Sequence, residues 1–335
     1  MAAHDQLPAL RGAVLGLGMI GRHHARLLQA SPRAEFAGAV DPGGDRFGVV
    51  HDPSLVFASL DELLAGGTPD FAIVAVPTEE HLAAVRELAA AGVHVLVEKP
   101  LAATADDAQE LIDIVEGAGL LGAVGHVERF NPALLGLRER LSEIGQPILI
   151  STERIGPFPD RVRDVGVVKD LATHDLDLVR WIGGAPIHQV AAQTRHKMGR
   201  AHEDMLFLTG RLENDVAFNC VVDWLSPTKV RQTRVLGENG MLVADTLIGT
   251  LTLYENGSRT PQDAAVQQAR GVSVGDMTQP ALDWHEPLLV ELERFCDLVQ
   301  GVAGAEVVTL AEGLETVRSA EAVLRSAATG ETVTL

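Results

Sequence analysis

The chain has only two cysteines, Cys220 and Cys296, in 335 residues, and no Cys-x-x-Cys or other paired spacing. A disulfide framework and a cysteine zinc site are thereby excluded, and a reducing, cytoplasmic setting is the expectation. Basic residues are scarce: 27 Lys and Arg stand against 46 Asp and Glu, a formal charge of -19. Nucleic acid is not an expected partner, because its binding needs clustered cations to displace counterions. No apolar run approaches the ~18 residues of a membrane span, and the segment Met1 to Pro8 lacks the basic and apolar regions of an export signal. Membrane attachment and export are not expected. Aromatics are 4 per cent of the chain against 46 per cent apolar residues, a bias toward Ala, Val and Leu that suits a parallel sheet covered by helices.

About two domains are expected at this length, since single cores stop growing near ~250 to 300 residues. From Arg11 to about Val124, short apolar runs at 12–16, 35–40, 55–58, 71–76, 93–97 and 120–124 alternate with amphipathic segments such as 79–91, which stops at Gly92. That repetition predicts an α/β, Rossmann-type doubly wound parallel sheet over residues 1–124. Beyond Phe130 the pattern changes. Helices are expected near 132–143 and 170–182, and residues 186–255 alternate like strands, with turn signals at Glu213-Asn214-Asp215 and Glu238-Asn239-Gly240. Residues 125–304 therefore read as an α+β domain with a large, mainly antiparallel open sheet. Residues 257–280 read as a polar loop. Amphipathic helices are expected near 286–300 and 311–328 and are placed to pack back on the first domain, the C-terminal one over about 305–330. The apolar alternation of 186–255 offers a sheet face that a homodimer or homotetramer would cover, because large apolar patches rarely stay bare.

Gly16, Gly18 and Gly21, with Met19 and Ile20 between them, follow a strand and open a helix. In that context the glycines serve a tight turn, close approach of a pyrophosphate and helix-to-strand packing, and the helix N-terminus favours phosphate. Asp41 ends the second strand, placed to accept hydrogen bonds from ribose hydroxyls. Its charge repels a 2′-phosphate, and Pro42-Gly43-Gly44 offers no adjacent arginine, so NAD is expected over NADP. Pro77 and Thr78 follow the fourth strand and open a helix carrying His81; Thr78 reads equally as an N-cap and as a cofactor contact. His23 and His24 read as solvated helix residues.

Glu98 and Lys99 end the fifth strand, and Pro100 halts it. Ligands of open α/β sheets bind outside the carboxyl ends of strands, so a lysine there reaches toward a reacting oxygen; alone, the pair reads as a solvated turn. In a helix, Asp170 and His174 stand one turn apart on one face, and a carboxylate there orients an imidazole for general-base work. The plainer alternative is an acidic amphipathic helix with a surface histidine.

Taken together, Gly16 to Gly21, Asp41, Glu98-Lys99-Pro100 and Asp170-x-x-x-His174 resemble the Gfo/Idh/MocA family of sugar and cyclitol oxidoreductases, over nearly the whole chain. The resemblance implies an NAD-binding Rossmann domain followed by an open antiparallel sheet, and a catalytic group of Lys99, Asp170 and His174. It also brings Glu98 and Lys99 to the cofactor side. One departure is the run Val165 to Lys169, which lacks the glycine-rich loop of many members. The segment Gly125-His126-Val127-Glu128-Arg129-Phe130-Asn131-Pro132 is similar to nucleotide-sugar 3-dehydrogenases acting on UDP-N-acetylglucosamine. By that likeness Arg129 and Asn131 stand at the mouth of a cleft, with Arg154, Arg161 and Arg163 following. Such arginines clamp a pyrophosphate or else pair with the chain's surplus acids. The implied activity is oxidation of a secondary ring hydroxyl, at C3 of a UDP-hexosamine, with no metal, since Lys99 polarises the oxygen. The alternatives are an aminoglycoside-type amino sugar, an inositol, or a ligand-sensing regulator that binds NAD without turnover.

Overall fold

The computed structural model describes residues 7–159, 165–257 and 274–335. They form two compact units, one of residues up to Val127 with Glu286–Arg318, the other of Glu128–His285 with Ser319–Leu335. Residues 286–304, counted above with the second domain, belong to the first unit, as the packing expected of their helix requires, whereas the last helix is a correction: only its part up to Arg318 joins the first unit, and residues 319–330 belong to the second.

In the first unit, β1 (Leu10–Leu15), β2 (Ala34–Val40), β3 (Val56–Phe57), β4 (Phe71–Val74), β5 (His94–Glu98) and β6 (Gly122–Gly125) form a parallel sheet in the order β3-β2-β1-β4-β5-β6. Side chains alternate across a strand, so neighbours enter opposite cores. Ala13, Leu15, Ala72, Val74, Val95 and Val97 face one core, while Val14, Phe71, Ile73 and Leu96 face the other. Burial of both faces explains why these strands read as continuous apolar runs. The second of these cores is closed by α1 (Gly21–Ala30) and by a helix from far along the chain, Pro287–Val299. The Phe295 ring of that helix stands edge-on to Phe71, with centroids 5.6 Å apart. The first is closed by α2 (Leu60–Ala65), α3 (His81–Ala90), α4 (Ala105–Gly117) and residues 308–317.

In the second unit, β7 (Pro147–Pro157), β8 (Ile187–Arg195), β9 (Met205–Leu212), β10 (Ala217–Asp223), β11 (Leu225–Gly237), β12 (Gly240–Asp245), β13 (Thr250–Asn256), β14 (Val274–Thr278) and β15 (Val333–Thr334) make one sheet. Its order is β14-β13-β12-β11-β7-β10-β9-β8-β15. Every pairing is antiparallel except that of β7 with β10. The turn signals hold their places: Asp215, between β9 and β10, has a φ of 74°, and Glu238-Asn239 joins β11 to β12. One face is packed against α5 (Pro132–Glu139) and α6 (Thr173–Gly183). Ile148, Phe207, Leu236 and Tyr254 stay exposed. The expected loop 257–280 contains β14, a correction, while residues 258–273 lie outside the described residues. The chain's remaining helices are α7 (Pro287–Val299) and α8 (Leu310–Thr329). No helix among the described residues is long and apolar enough to cross a membrane.

Candidate active site

At the carboxyl edge of the first sheet, a cavity of about 790 Å³ is lined by Gly16, Gly18, Met19, Asp41, Pro77 and neighbouring residues. It lies where the strand order reverses between β1 and β4, the place at which doubly wound sheets bind ligands. Gly16 has a φ of +90°, and a Cβ on it would meet the Ala75 carbonyl oxygen at 2.6 Å; a Cβ on Gly21 would strike the Gly16 carbonyl. Over Gly18 no atom lies within 4 Å of where a Cβ would stand, so a phosphate can approach the backbone there. Ile20 caps α1 without a side-chain hydrogen bond, leaving the helix N-terminus to a ligand. Asp41 accepts from the Leu17 amide at 2.8 Å and the Gly43 amide at 2.7 Å. Each carboxylate oxygen has a second lone pair to offer a ribose hydroxyl. The donor set and the open backbone fit a dinucleotide.

Two details of this cavity differ from the expectation. Arg46 folds back over Gly43 and lines the cavity beside Asp41, so an arginine is present after all. Thr78 does not cap: Pro77 precedes the turn Thr78–Glu80, and Glu80 leads into α3 with no side-chain cap.

His81 is buried, its ring nitrogens 3.2 Å from the Leu101 carbonyl and 3.1 Å from the Val76 carbonyl. Burial lowers its pKa against the pull of those carbonyls. A neutral ring carries one N–H and donates to only one of them. It ties the end of β4 to the turn after Pro100, and it does not line the cavity.

The turn after β5 is no solvated corner. Lys99 is half-buried and Glu98 is buried, and the Lys99–Pro100 peptide is cis. The Glu98 carboxylate meets the His24 Nε2 at 2.7 Å and accepts from the Lys99 amide at 3.1 Å. Burial works to raise its pKa, but the His24 hydrogen bond and the charges of His24 and Lys99 outweigh burial and hold it below the usual carboxylate range. His24 is 1% exposed, which corrects its reading as a solvated residue.

In the second unit, Asp170 lies in a π-helical turn, Val168–Ala172, and His174 is the second residue of α6. The uniform α-helix expected over 170–182 is therefore widened at its start. Asp170 is buried and His174 is half-buried. Around them the expected anion clamp turns inward. Arg129, buried rather than at a cleft mouth, donates through Nε and Nη2 to Asp177 at 2.7 and 2.5 Å. Arg154 on β7 donates to Asp175 at 3.0 Å and to Glu128 at 2.9 Å. Burial works to raise the Glu128 pKa, yet Arg154, Arg231 and Lys229 bring it below its ordinary value. Asn131 caps α5 through the Ala133 amide and donates to the Thr246 carbonyl. These side chains brace the segment that presents Asp170 and His174. Arg161 and Arg163 lie outside the described residues.

Sequence reasoning missed Arg46, His24, Glu291, Asp175 and Asp177. Four of these carried a signal: His24 shares the buried stripe of α1 with Gly21, Ala25 and Leu28, Glu291 shares that of α7 with Leu288, Leu292 and Phe295, and Asp175 and Asp177 sit among the buried residues of α6. A charged residue on an apolar stripe is buried and must be paired. Both thiols are buried, and burial pushes that of Cys296 up to about 12 and that of Cys220 upward as well.

Comparison with known proteins adds the family. The oxidoreductase family, NAD-binding Rossmann fold, matches residues 10–126, and the oxidoreductase family, C-terminal alpha/beta domain, matches residues 140–335. The UDP-N-acetylglucosamine 3-dehydrogenase of Acidithiobacillus ferrooxidans is 30% identical over 94% of this chain and 99% of its own length. A solved structure of that protein has a TM-score of 0.81 at 28% identity, covering 96% of this chain and 98% of its own. The scyllo-inositol 2-dehydrogenase (NAD(+)) of Bacillus subtilis is 26% identical over 87% of this chain and 86% of its own length. GenD2 from gentamicin A biosynthesis, solved in complex with NAD, has a TM-score of 0.79 at 26% identity, over 98% of this chain and 97% of its own.

Proposed function

The chain belongs to the Gfo/Idh/MocA oxidoreductase family, an NAD-binding Rossmann domain with a C-terminal alpha/beta domain, and on that premise we propose that it oxidises C3 of a UDP-hexosamine to a ketone. The observation that carries the chemistry is Lys99. It leaves the carboxyl end of β5 on the same sheet edge as the Gly16–Gly21 turn and Asp41. The likeness to UDP-N-acetylglucosamine 3-dehydrogenase over 94% of the chain supports the substrate.

Gly16, Gly18, Met19, Ile20 and Gly21 hold the pyrophosphate, Asp41 the adenosine ribose, and Pro77 the nicotinamide side. Bound NAD supplies the hydride acceptor. His174, oriented by Asp170, takes the proton of the reacting hydroxyl as general base. Lys99 hydrogen-bonds the same oxygen and stabilises the alkoxide charge that develops as the proton leaves. Arg129 and Arg154 act by position, bracing α6 through Asp177, Asp175 and Glu128 instead of clamping the substrate.

The test is reduction of NAD by the purified protein with UDP-N-acetylglucosamine, scyllo-inositol and an aminoglycoside, followed by absorbance. UDP-N-acetylglucosamine is expected to give the highest kcat/KM, and preference for either rival would replace the substrate. Lys99→Ala is expected to lower kcat by ~10²- to 10³-fold, a donor to a developing oxyanion being worth about that, while NAD binding persists. Turnover by the variant at the parent rate would remove Lys99 from the mechanism, and no reduction with any alcohol would favour a ligand-sensing regulator.

A further inference from the structure

Behind Lys99, the first unit buries three ionisable side chains that the proposed chemistry does not use. His24 of α1, Glu98 of β5 and Glu291 of α7 each offer an atom within 4.8 Å of the others. Glu291 is 2% exposed, and neither of its carboxyl oxygens has a hydrogen-bond partner. The His24 Nδ1 is likewise buried without one. A bare carboxylate is not tolerated in such a place; it must find a cation or take up a proton. Among the described residues, the charged and titratable groups around the three include His126, buried just after β6 and next to Gly125, which lies against the Glu98 carboxylate. From β5 come Glu98 and Lys99, and from α1 comes His24, whose Nε2 is already committed to Glu98. From α3 comes His81, committed to two carbonyls. At the ends of α7, Arg26 pairs with Glu286 and Arg33 pairs with Asp297 at 2.7 Å. None of these cations is bonded to Glu291.

We infer that Glu291 is a proton-carrying positioning residue: it stays neutral beside the Glu98–His24 pair, so that Glu98 keeps its single negative charge for His24 and the Lys99 turn. Two carboxylates this close cannot both ionise away from water. The division follows from their partners: Glu98 has His24 and the Lys99 amide, while Glu291 has burial and the Glu98 charge, both of which push its pKa well above the ordinary value. The role assigned to Lys99 rests on the dehydrogenase reading above, whereas the protonation of Glu291 does not.

The sign follows from linkage. A carboxyl whose folded pKa is raised contributes its full stability below its unfolded pKa, and loses it as pH rises toward the folded pKa. Glu291→Gln removes that dependence, because an amide does not titrate. Melting temperatures of the parent and of Glu291→Gln, measured from about pH 5 to about pH 8, are expected to diverge in favour of the variant as pH rises. A difference that stays constant, or that moves toward the parent, would overturn the inference. So would stoichiometric binding of Zn²⁺ or Mn²⁺ by the parent that Glu291→Gln abolishes, because the three groups would then be ligands.

Should Glu291→Gln not fold, Glu291→Met takes its place, and the infrared carbonyl band of a protonated carboxyl in the parent at neutral pH must be present. Its absence is decisive against the inference. In turnover, the alkaline limb of the kcat/KM profile is expected to move to higher pH in Glu291→Gln. If Lys99→Ala abolishes turnover but Glu291→Gln keeps the parent profile, the positioning role fails alone; if Lys99→Ala keeps turnover, the dehydrogenase reading of Lys99 fails.

Discussion

Single residues decide cofactor choice. Asp41 presents its carboxylate to the cavity while two backbone amides hold it in place, and that charge disfavours a 2′-phosphate. Arg46 lines the same cavity and offers a cation suited to a phosphate once the carboxylate is gone. Asp41→Ser is therefore expected to shift the ratio of kcat/KM for NAD over NADP by ~10-fold or more toward NADP, about 1.4 kcal/mol of discrimination. Steady-state kinetics with both cofactors checks it, and an unchanged ratio would show that Asp41 does not face the ribose. Asp41 was legible because its distance from Gly21 matches a known turn. Arg46 was not: sequence shows that Pro42-Gly43-Gly44 holds no arginine, and only the folded loop shows that a later one returns over Gly43.

At the scale of elements, helix α6 is a load on two buried ion pairs. Asp175 and Asp177 sit on its buried side, and Arg154 and Arg129 reach them from β7 and from the turn Val127–Phe130. Removing one partner of a buried pair strands a charge, which costs ~3 to 5 kcal/mol. Arg154→Met strands both Glu128 and Asp175, so its unfolding free energy from urea titration is expected to fall by that much and its midpoint with it, with kcat falling because the proposed base His174 is borne on α6. Arg154→Lys is expected to recover only part, since one ammonium does not reproduce the guanidinium fork that serves two carboxylates. A midpoint equal to the parent's would show that the pair carries no net stability. Helix periodicity placed α6 to within three residues at its start and one at its end, but the π turn before it escaped, because an extra residue in one turn leaves no mark in a 3.6-residue pattern.

At the scale of the whole molecule, the exposed apolar residues of the second sheet, Ile148, Phe207, Leu236 and Tyr254, predict self-association, since such patches on soluble proteins mark interfaces. Light scattering after size exclusion is expected to give a dimer or tetramer, and Phe207→Asp is expected to shift it toward monomer; a monomeric parent would refute the assignment of this face.

Local pattern determined a good deal. Alternation of apolar runs with amphipathic segments specified the parallel sheet, because strand and helix periods are set by the backbone of each segment alone. The Gly16–Gly21 turn and the placing of Lys99 beyond β5 follow from residues adjacent in sequence. Only the tertiary structure decided which helix closes which face. It brought α7 back from residue 287 to the sheet, turned Arg129 and Arg154 inward, and buried His24 and Glu291 beside Glu98. Those outcomes depend on residues from about twenty to more than two hundred positions apart competing for the same buried space, and a buried charge takes whatever partner the fold delivers, which no local period encodes.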